Sequence, residues 1–412
     1  MSNFIRTEQV NLGYNETLSN LCHTSKNLWN EANYFIRQTL FGSDNKVLIR
    51  YNLLDKWMRT GSDNYSLLPA QTSQHNLKLL DKAWKDYFKA TKEYYKDPSK
   101  FLGRPGYPGY KDKDGESLIV LTNQQCHLKD GYLTFPKTLR LSPIKTRLKD
   151  KVKLRQVRII PNGVGYICEI VYKKRFKPDD KLNPKRILGI DYGTVNVVTK
   201  ANNIGRTPIV YKDDGTWIKS INQFYNKKKA KLQSIYDKQG IKYGSAMSRL
   251  NAKRERKMKD AMHKTSRYIV DKCVRRRIGT IVIGHNDKWK QSINIGRRNN
   301  QTFVGIPFYQ LTQMIQYKAK EVGIKVILQQ ESHTSKCSFL DLESVKHHKK
   351  YKGKRITRSL FESKKGIIIH SDVNGAYNII RKAKPKAFNA EDVGGCGLHP
   401  IKVNPLEVTL YE

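Results

Sequence analysis

The hydrophobic pattern of the chain changes period along its length, and each change marks a different kind of structure. Phe4 to Leu12 alternate like a short strand, and then Leu18, Leu21, Cys22, Leu28, Trp29, Ala32 and Phe35 recur at helical spacing within Glu16 to Thr39. A second helix is expected from Val47 to Met58, and a third from Gln71 to Tyr95, with Leu77, Leu80, Ala83, Trp84, Tyr87 and Phe88 on one stripe. Lys78, Lys82 and Lys85 sit on the polar side of that stripe, where they can meet phosphates. The run FLGRPGYPGY, Phe101 to Tyr110, carries too many Gly and Pro for a helix and ends the block. The period then becomes two. Ser117 to Leu121, Tyr132 to Phe135, Val152 to Ile160 and Gly165 to Tyr172 read as strands, separated by turn residues such as Pro161-Asn162-Gly163. The pattern predicts a small antiparallel β-barrel, built from 1–15 and 101–180, that carries a helical insertion over 16–100.

After a basic, Pro-containing linker from Lys174 to Arg186, an apolar run Ile187 to Ile190 delivers one carboxylate, Asp191, before a turn at Gly193. Further strands are expected at Val195 to Lys200, Thr207 to Lys212, Gly279 to Gly284 and Ile324 to Gln329. Two basic helices lie between them, Ile221 to Lys238 and Ser245 to Arg277, and another helix spans Pro307 to Val322. Strand, helix, strand order of this kind implies a mixed sheet flanked by helices, with functional groups at the carboxyl ends of the strands. Asp372 ends a second apolar run and opens a helix carrying Ala376, Ile379 and Ile380. A carboxylate at the end of a buried strand needs either nearby backbone N–H groups or a cation. Two of them in one domain point to a shared divalent-metal site. Residues 332–370 read as an irregular basic insertion and 385–412 as a flexible tail.

Charge narrows the partner. Among 412 residues, 78 Lys plus Arg stand against 36 Asp plus Glu, a net +42 spread along the whole chain. A polyanion is implied, and the 23 Tyr and 5 Trp among the basic residues suit the stacking of bases. On the paired helices, Arg254, Lys257, Lys264 and Arg267 are expected to contact nucleic-acid backbone. The six dispersed cysteines form no CxxC knuckle, which fits a reducing interior. With no stretch long and apolar enough for a membrane span, the expected location is cytoplasmic and nucleoid-associated.

GIDYG at Gly189, RERKMKDAMHKTSRYIV at Arg254, HTSKCS at His333 and DVNGAYNI at Asp372 resemble, in this order, the RuvC domain of TnpB proteins. These are transposon-encoded RNA-guided DNA nucleases related to type V CRISPR effectors. The resemblance implies an RNase H-like (RuvC) α/β nuclease domain over 186–331 and 371–384, preceded by a wedge-like barrel with its recognition insertion. It further implies a guide RNA, a double-stranded target DNA selected through a short duplex motif, and Mg2+-dependent cutting, with Mn2+ as a substitute.

Two departures from the family pattern matter. The TnpB zinc ribbon uses two CxxC pairs, whereas only Cys337 lies between Thr334 and Asp372, so no structural zinc is expected. The catalytic glutamate that usually ends the strand GTIVIG is replaced by Gly284. Glu331, at the end of the adjacent strand, is the expected substitute, with Asp287, Glu343 and Glu362 less favoured. Asp191, Glu331 and Asp372 would then hold two Mg2+ ions. A catalytically silent RNA-guided repressor is the alternative; a guide-free resolvase-like nuclease fits the large N-terminal half less well.

Overall fold

The computed structural model describes residues 2–42, 47–148, 152–176, 178–193, 195–212, 218–286, 304–388 and 400–403. The chain divides into two compact units, Asn3–Arg175 and a second that begins at Phe176.

In the first unit, strand β1 (Ser2–Leu12) leads into α1 (Glu16–Phe41), α2 (Tyr51–Gly61), α3 (Asp63–Ser66) and α4 (Ala70–Lys96). Asn15 starts α1 by accepting the Leu18 N–H at 2.9 Å, satisfying one of the donors a helix leaves open at its first turn. Leu28, Ile36, Leu54, Leu77, Leu80 and Trp84 form the core of the helical block. The Gly/Pro segment after it makes no ladder of its own, and α1 satisfies its backbone instead. Asn33 Nδ2 donates to Pro108 O at 3.0 Å, and Asn30 Nδ2 to Lys111 O at 2.9 Å.

The expected closed barrel is not what the strands form. β2 (Ile119–Thr122), β6 (Lys153–Pro161), β7 (Tyr166–Phe176) and β1 make an open sheet of order β1-β7-β6-β2. β3 (His127–Lys129), β4 (Tyr132–Thr134) and β5 (Ile144–Lys145) form a separate three-stranded sheet. Among the described residues no ladder joins the two. They share one core instead, in which Leu133 packs with Ile119, Val157 and Ile170, and α1 adds Leu18 and Cys22. Strands of only two or three residues are too short to continue a barrel wall, so the smaller sheet lies against the larger one.

The second unit is built on one mixed sheet. Its strands are β8 (Asn183–Tyr192), β9 (Asn196–Asn202), β10 (Ile209–Lys212), β11 (Ile278–His285), β12 (Lys325–Gln330) and β16 (Ile401–Val403). The order is β12-β11-β8-β9-β10-β16, with β8, β9 and β10 antiparallel in sequence and β11 and β12 parallel to β8. Side chains alternate between faces. Leu188, Ile190, Ile281 and Ile283 face helices α6 (Ser245–Arg275) and α7 (Phe308–Val322). Ile187, Val282 and Ile327 face α8 (Ser371–Ala383). The remaining helix, α5 (Ile218–Lys238), pairs with α6.

The stretch 332–370 is mostly turns and bends, as expected, but they are organised around strands. It holds a small sheet of β13 (Lys354–Arg355), β14 (Leu360–Glu362) and β15 (Ile368–His370). Glu343, buried, ties its turns together: its carboxylate accepts from Ser338 N at 2.8 Å and from Lys352 N at 2.9 Å. The tail also departs from expectation. Phe388 packs on Phe339 and Tyr377, and Ile401–Val403 adds a strand parallel to β10. Apolar residues in a polar tail had an unpaired strand edge to join. Among the described residues no helix is long and apolar enough to cross a membrane.

Candidate functional site

The period of two along β8 places Ile187, Gly189 and Asp191 on the face that meets α8. Two glycines let helix and strand approach. A Cβ on Gly189 would stand 2.5 Å from Ala376 O, and a Cβ on Gly375 would stand 2.7 Å from Asp191 Oδ2. Bulkier residues at either position would push the helix away from the carboxylate.

The same alternation carries Thr280, Val282 and Gly284 on β11, and Ile327, Gln329 and Glu331 on and beyond β12, to that face. Ile190 is paired with Ile283, and Gly284 with Gln329, so Asp191, Gly284 and Glu331 gather at one end of three neighbouring strands. The Glu331 side chain folds back over Gly284, and a Cβ there would overlap its Oε1. Asn286 holds Glu331 from two directions: its Nδ2 donates to Oε2 at 2.9 Å, and its Oδ1 accepts the Glu331 N–H at 3.3 Å. Glu331 Oε1 is buried without a hydrogen-bond partner. Asp372 lies in the first turn of α8, where it accepts from Asn196 Nδ2 at 2.8 Å and lies 3.7 Å from Arg355 Nη2.

Electrostatics joins the three. Burial, then the charge on Glu331, then that on Asp372, hold the Asp191 carboxyl well above the usual range, with Arg355 opposing. Burial pushes Glu331 up to about 7. As placed, no three His, Cys, Asp or Glu side chains among the described residues converge into a metal-holding group. The donor chemistry nonetheless fits a hard divalent cation: all carboxylate oxygens, mutually repelling, one of them buried without a hydrogen-bond partner. Asp287 lies outside the described residues. Glu343 is committed to its two backbone donors, and Glu362 lies 3.2 Å from Lys354 Nζ.

The motifs HTSKCS and DVNGAYNI fit together through two asparagines that the sequence reading passed over. Asn374 and Asn378, one helical turn apart and fully buried, donate to Cys337 O at 2.9 and 2.7 Å. Asn378 also reaches Thr334 O at 2.9 Å, and Asn374 Oδ1 accepts from Phe339 N at 2.9 Å. Asn at an i, i+4 spacing on an otherwise apolar helix face was the available signal. The Cys337 thiol faces the carbonyls of Ser344 and Lys346, each at 3.5 Å.

The basic residues divide by use. Arg254 staples α5 to α6, with Nε on Asn222 Oδ1 at 3.0 Å, Nη2 on Gly305 O at 3.2 Å, and its guanidinium over the Tyr225 ring at 4.9 Å. Lys264 and Arg267 lie 2.9 and 3.6 Å from Asp260 and Asp271 on their own helix, while Lys257 is exposed. On α4, Lys85 bridges Asp81 at 2.7 Å, Lys78 lies over Tyr51, and Lys82 is exposed.

Residues 169–290 match the family OrfB_IS605, described as a probable transposase, and residues 308–379 match the Cas12f1-like TNB domain. The TnpB-like protein ORF457 of Acidianus two-tailed virus is 26% identical over 92% of this chain and 86% of its own length. Along most of its length the chain is thus similar to a TnpB-like protein. A second TnpB-like protein, MJ0751 of Methanocaldococcus jannaschii, is 28% identical over 42% of this chain and 66% of its own. The CRISPR-associated endodeoxyribonuclease Cas12f1 of Sulfoacidibacillus thermotolerans is 28% identical over half of this chain and 47% of its own. In fold, the chain is similar to the protein in a cryo-EM structure of a Cas12f1-sgRNA-target DNA complex. The TM-score is 0.51 at 14% identity, covering 88% of this chain and 81% of that one. The shared fold is a compact α+β one.

Proposed function

We propose that the chain is an RNA-guided DNA endonuclease whose second unit cuts DNA with Asp191, Glu331 and Asp372. The strand order, three antiparallel strands followed by two parallel ones, supports reading this unit as an RNase H-like, RuvC-type core. One observation carries the assignment of the third carboxylate: Glu331 fills the space that a side chain at position 284 would take, beside Asp191. The three would hold Mg2+, or Mn2+ in its place. When bound, such cations activate water and stabilise the oxygen that leaves a phosphodiester.

The remaining chemistry belongs to the chain. Asn196 and Asn286 restrain the rotamers of Asp372 and Glu331 through hydrogen bonds before substrate arrives. Arg355 offsets part of their negative charge. Guide RNA and the target duplex are the proposed polyanions for a charge of +42, with base pairing supplying sequence choice.

The deciding experiment copurifies the chain with its RNA, sequences that RNA, and assays cleavage of matched duplex DNA with Mg2+. Cutting that requires both the matched guide and Glu331 supports the reading. The pairing of Arg355 with Asp372 favours the silent repressor as the second reading; guide-dependent binding without cutting, in Mg2+ and Mn2+ alike, would establish it.

A further inference from the structure

A groove between α5 and α6 has an aromatic floor and a cationic rim. Phe224 is half exposed there, although Ile221 and Leu250 beside it are partly buried. Two cavities meet at its ring. One, of 270 Å³, is lined by Ile221, Tyr225, Leu250 and Lys257; the other, of 360 Å³, by Leu232, Ile235, Lys231 and Arg249. Each is near the lower limit of small-ligand pockets and too small for a helix or a strand. Lys228 and Lys253 stand over the Phe224 ring at 6.0 and 5.7 Å from its centre, at the outer edge of cation–π attraction, so the ring binds them weakly and both can turn to an anion. Lys231 and Arg249 are exposed on either helix.

We infer that this groove seats an unpaired nucleotide of the bound RNA, its base against Phe224 and its flanking phosphates on Lys228 and Lys253. An apolar ring alone would suit many occupants, but five cations around it, Lys228, Lys231, Arg249, Lys253 and Lys257, select a flat apolar group carried on an anionic chain. A nucleotide strand is that object. RNA is favoured over duplex DNA because loops and bulges present bases already unstacked, whereas a paired base must first be extruded, at a cost of a few kcal/mol. The inference rests on the nucleic-acid-binding reading of this unit and adds to it a site where a base, rather than phosphate alone, is held.

The test uses the full-length chain, stripped of RNA in high salt, with two fluorescent probes: decauridylate, and an abasic ribose-phosphate oligomer of equal length. Phe224→Leu keeps an apolar side chain but removes the ring; Phe224→Trp keeps a ring. The expected result is about a tenfold weaker grip on decauridylate for Phe224→Leu, no change on the abasic oligomer, near-native binding by Phe224→Trp, and an unchanged salt slope in each case. Equal loss on both probes, or no loss on either, overturns the base site. Absence of salt-dependent binding by the unmutated chain would instead overturn the underlying nucleic-acid reading. In the complex as purified, 4-thiouridine in the RNA should photo-crosslink to the Phe224 peptide. A crosslink there only from thiolated target DNA would refute the assignment to RNA.

Discussion

Glu331 occupies the place of a side chain that Gly284 lacks: a Cβ on Gly284 would overlap Glu331 Oε1. On the proposed reading the two positions are alternative sources of one carboxylate, so moving it back is the sharpest test. Glu331→Gln should abolish cleavage, as should Asp191→Ala or Asp372→Ala, while RNA and target binding persist. Gly284→Ala should impair cleavage by displacing Glu331. The double variant Gly284→Glu, Glu331→Ala should cut at least about tenfold faster than Glu331→Ala alone, a gain of about 1.4 kcal/mol in barrier. Single-turnover cleavage rates give the answer, and full activity in Glu331→Gln would rule the assignment out.

Proton and cation compete for this cluster. Glu331 titrates near 7 in the fold against an ordinary value of 4.5, so between those values the folded form holds a proton the unfolded form has lost. Its contribution to stability is therefore full below pH 4.5 and is lost as pH rises through 7. A divalent cation takes the deprotonated carboxylates. Mn2+ should accordingly raise Tm more at about pH 8 than at about pH 5.5, and Glu331→Gln should raise the cation-free Tm at the higher pH while shrinking the Mn2+ response. A Mn2+ shift independent of both pH and Glu331 would contradict this.

Lys200 makes a pH-dependent contribution of the opposite sign. It is buried in the sheet core, its ammonium 4.9 Å from the Tyr211 ring and 5.0 Å from that of Tyr268. Burial pushes it down to about 7 from an ordinary 10.5. The unfolded chain thus binds the extra proton between those values, and stability rises with pH across them. Compared with Lys200→Met by denaturant unfolding, the wild-type chain should be relatively weakest below pH 7 and gain as pH increases. A constant difference would mean that Lys200 stays charged.

Arg254 and Lys257, neighbours on one helix, should separate structure from binding. Lys257→Gln is expected to weaken RNA binding for all sequences alike and reduce the salt slope by roughly one unit, with Tm unchanged. Arg254→Gln should also lower Tm, because it removes the Arg254 donor to Asn222 Oδ1 and leaves Gly305 O with Asn222 Nδ2 alone. Thermal unfolding in high salt, beside salt-titrated binding, distinguishes the two.

Asn378→Leu should cost about 1–3 kcal/mol, since it buries the Thr334 and Cys337 carbonyls with fewer donors. Proteolysis should then open the 332–370 segment ahead of the sheet. Unaltered protection would show that Asn374 and the Phe339 stacking on Tyr377, at 4.3 Å, hold the segment without Asn378.

Local periodicity was sufficient for the longer elements. A strand needs only alternation and a helix only its apolar stripe, and both can be read over a few residues, as in Ile187 to Asp191 or along α8. Charge by itself implied a polyanion, and the strand, helix, strand order implied a mixed sheet with Asp191, Gly284 and Glu331 at the carboxyl ends of its strands. What the tertiary structure decided depends on partners distant in sequence. Whether short strands close into a barrel is set by ladders between residues far apart, and among the described residues the smaller sheet made none with its neighbour. The stretch 332–370 looked irregular because it is held by Glu343 and by asparagines of α8, whose roles exist only once backbone carbonyls face them. The tail joined an edge that β10 leaves open. Gly284 read alone is a lost carboxylate; only the register of β11 against β12 turns it into room for Glu331.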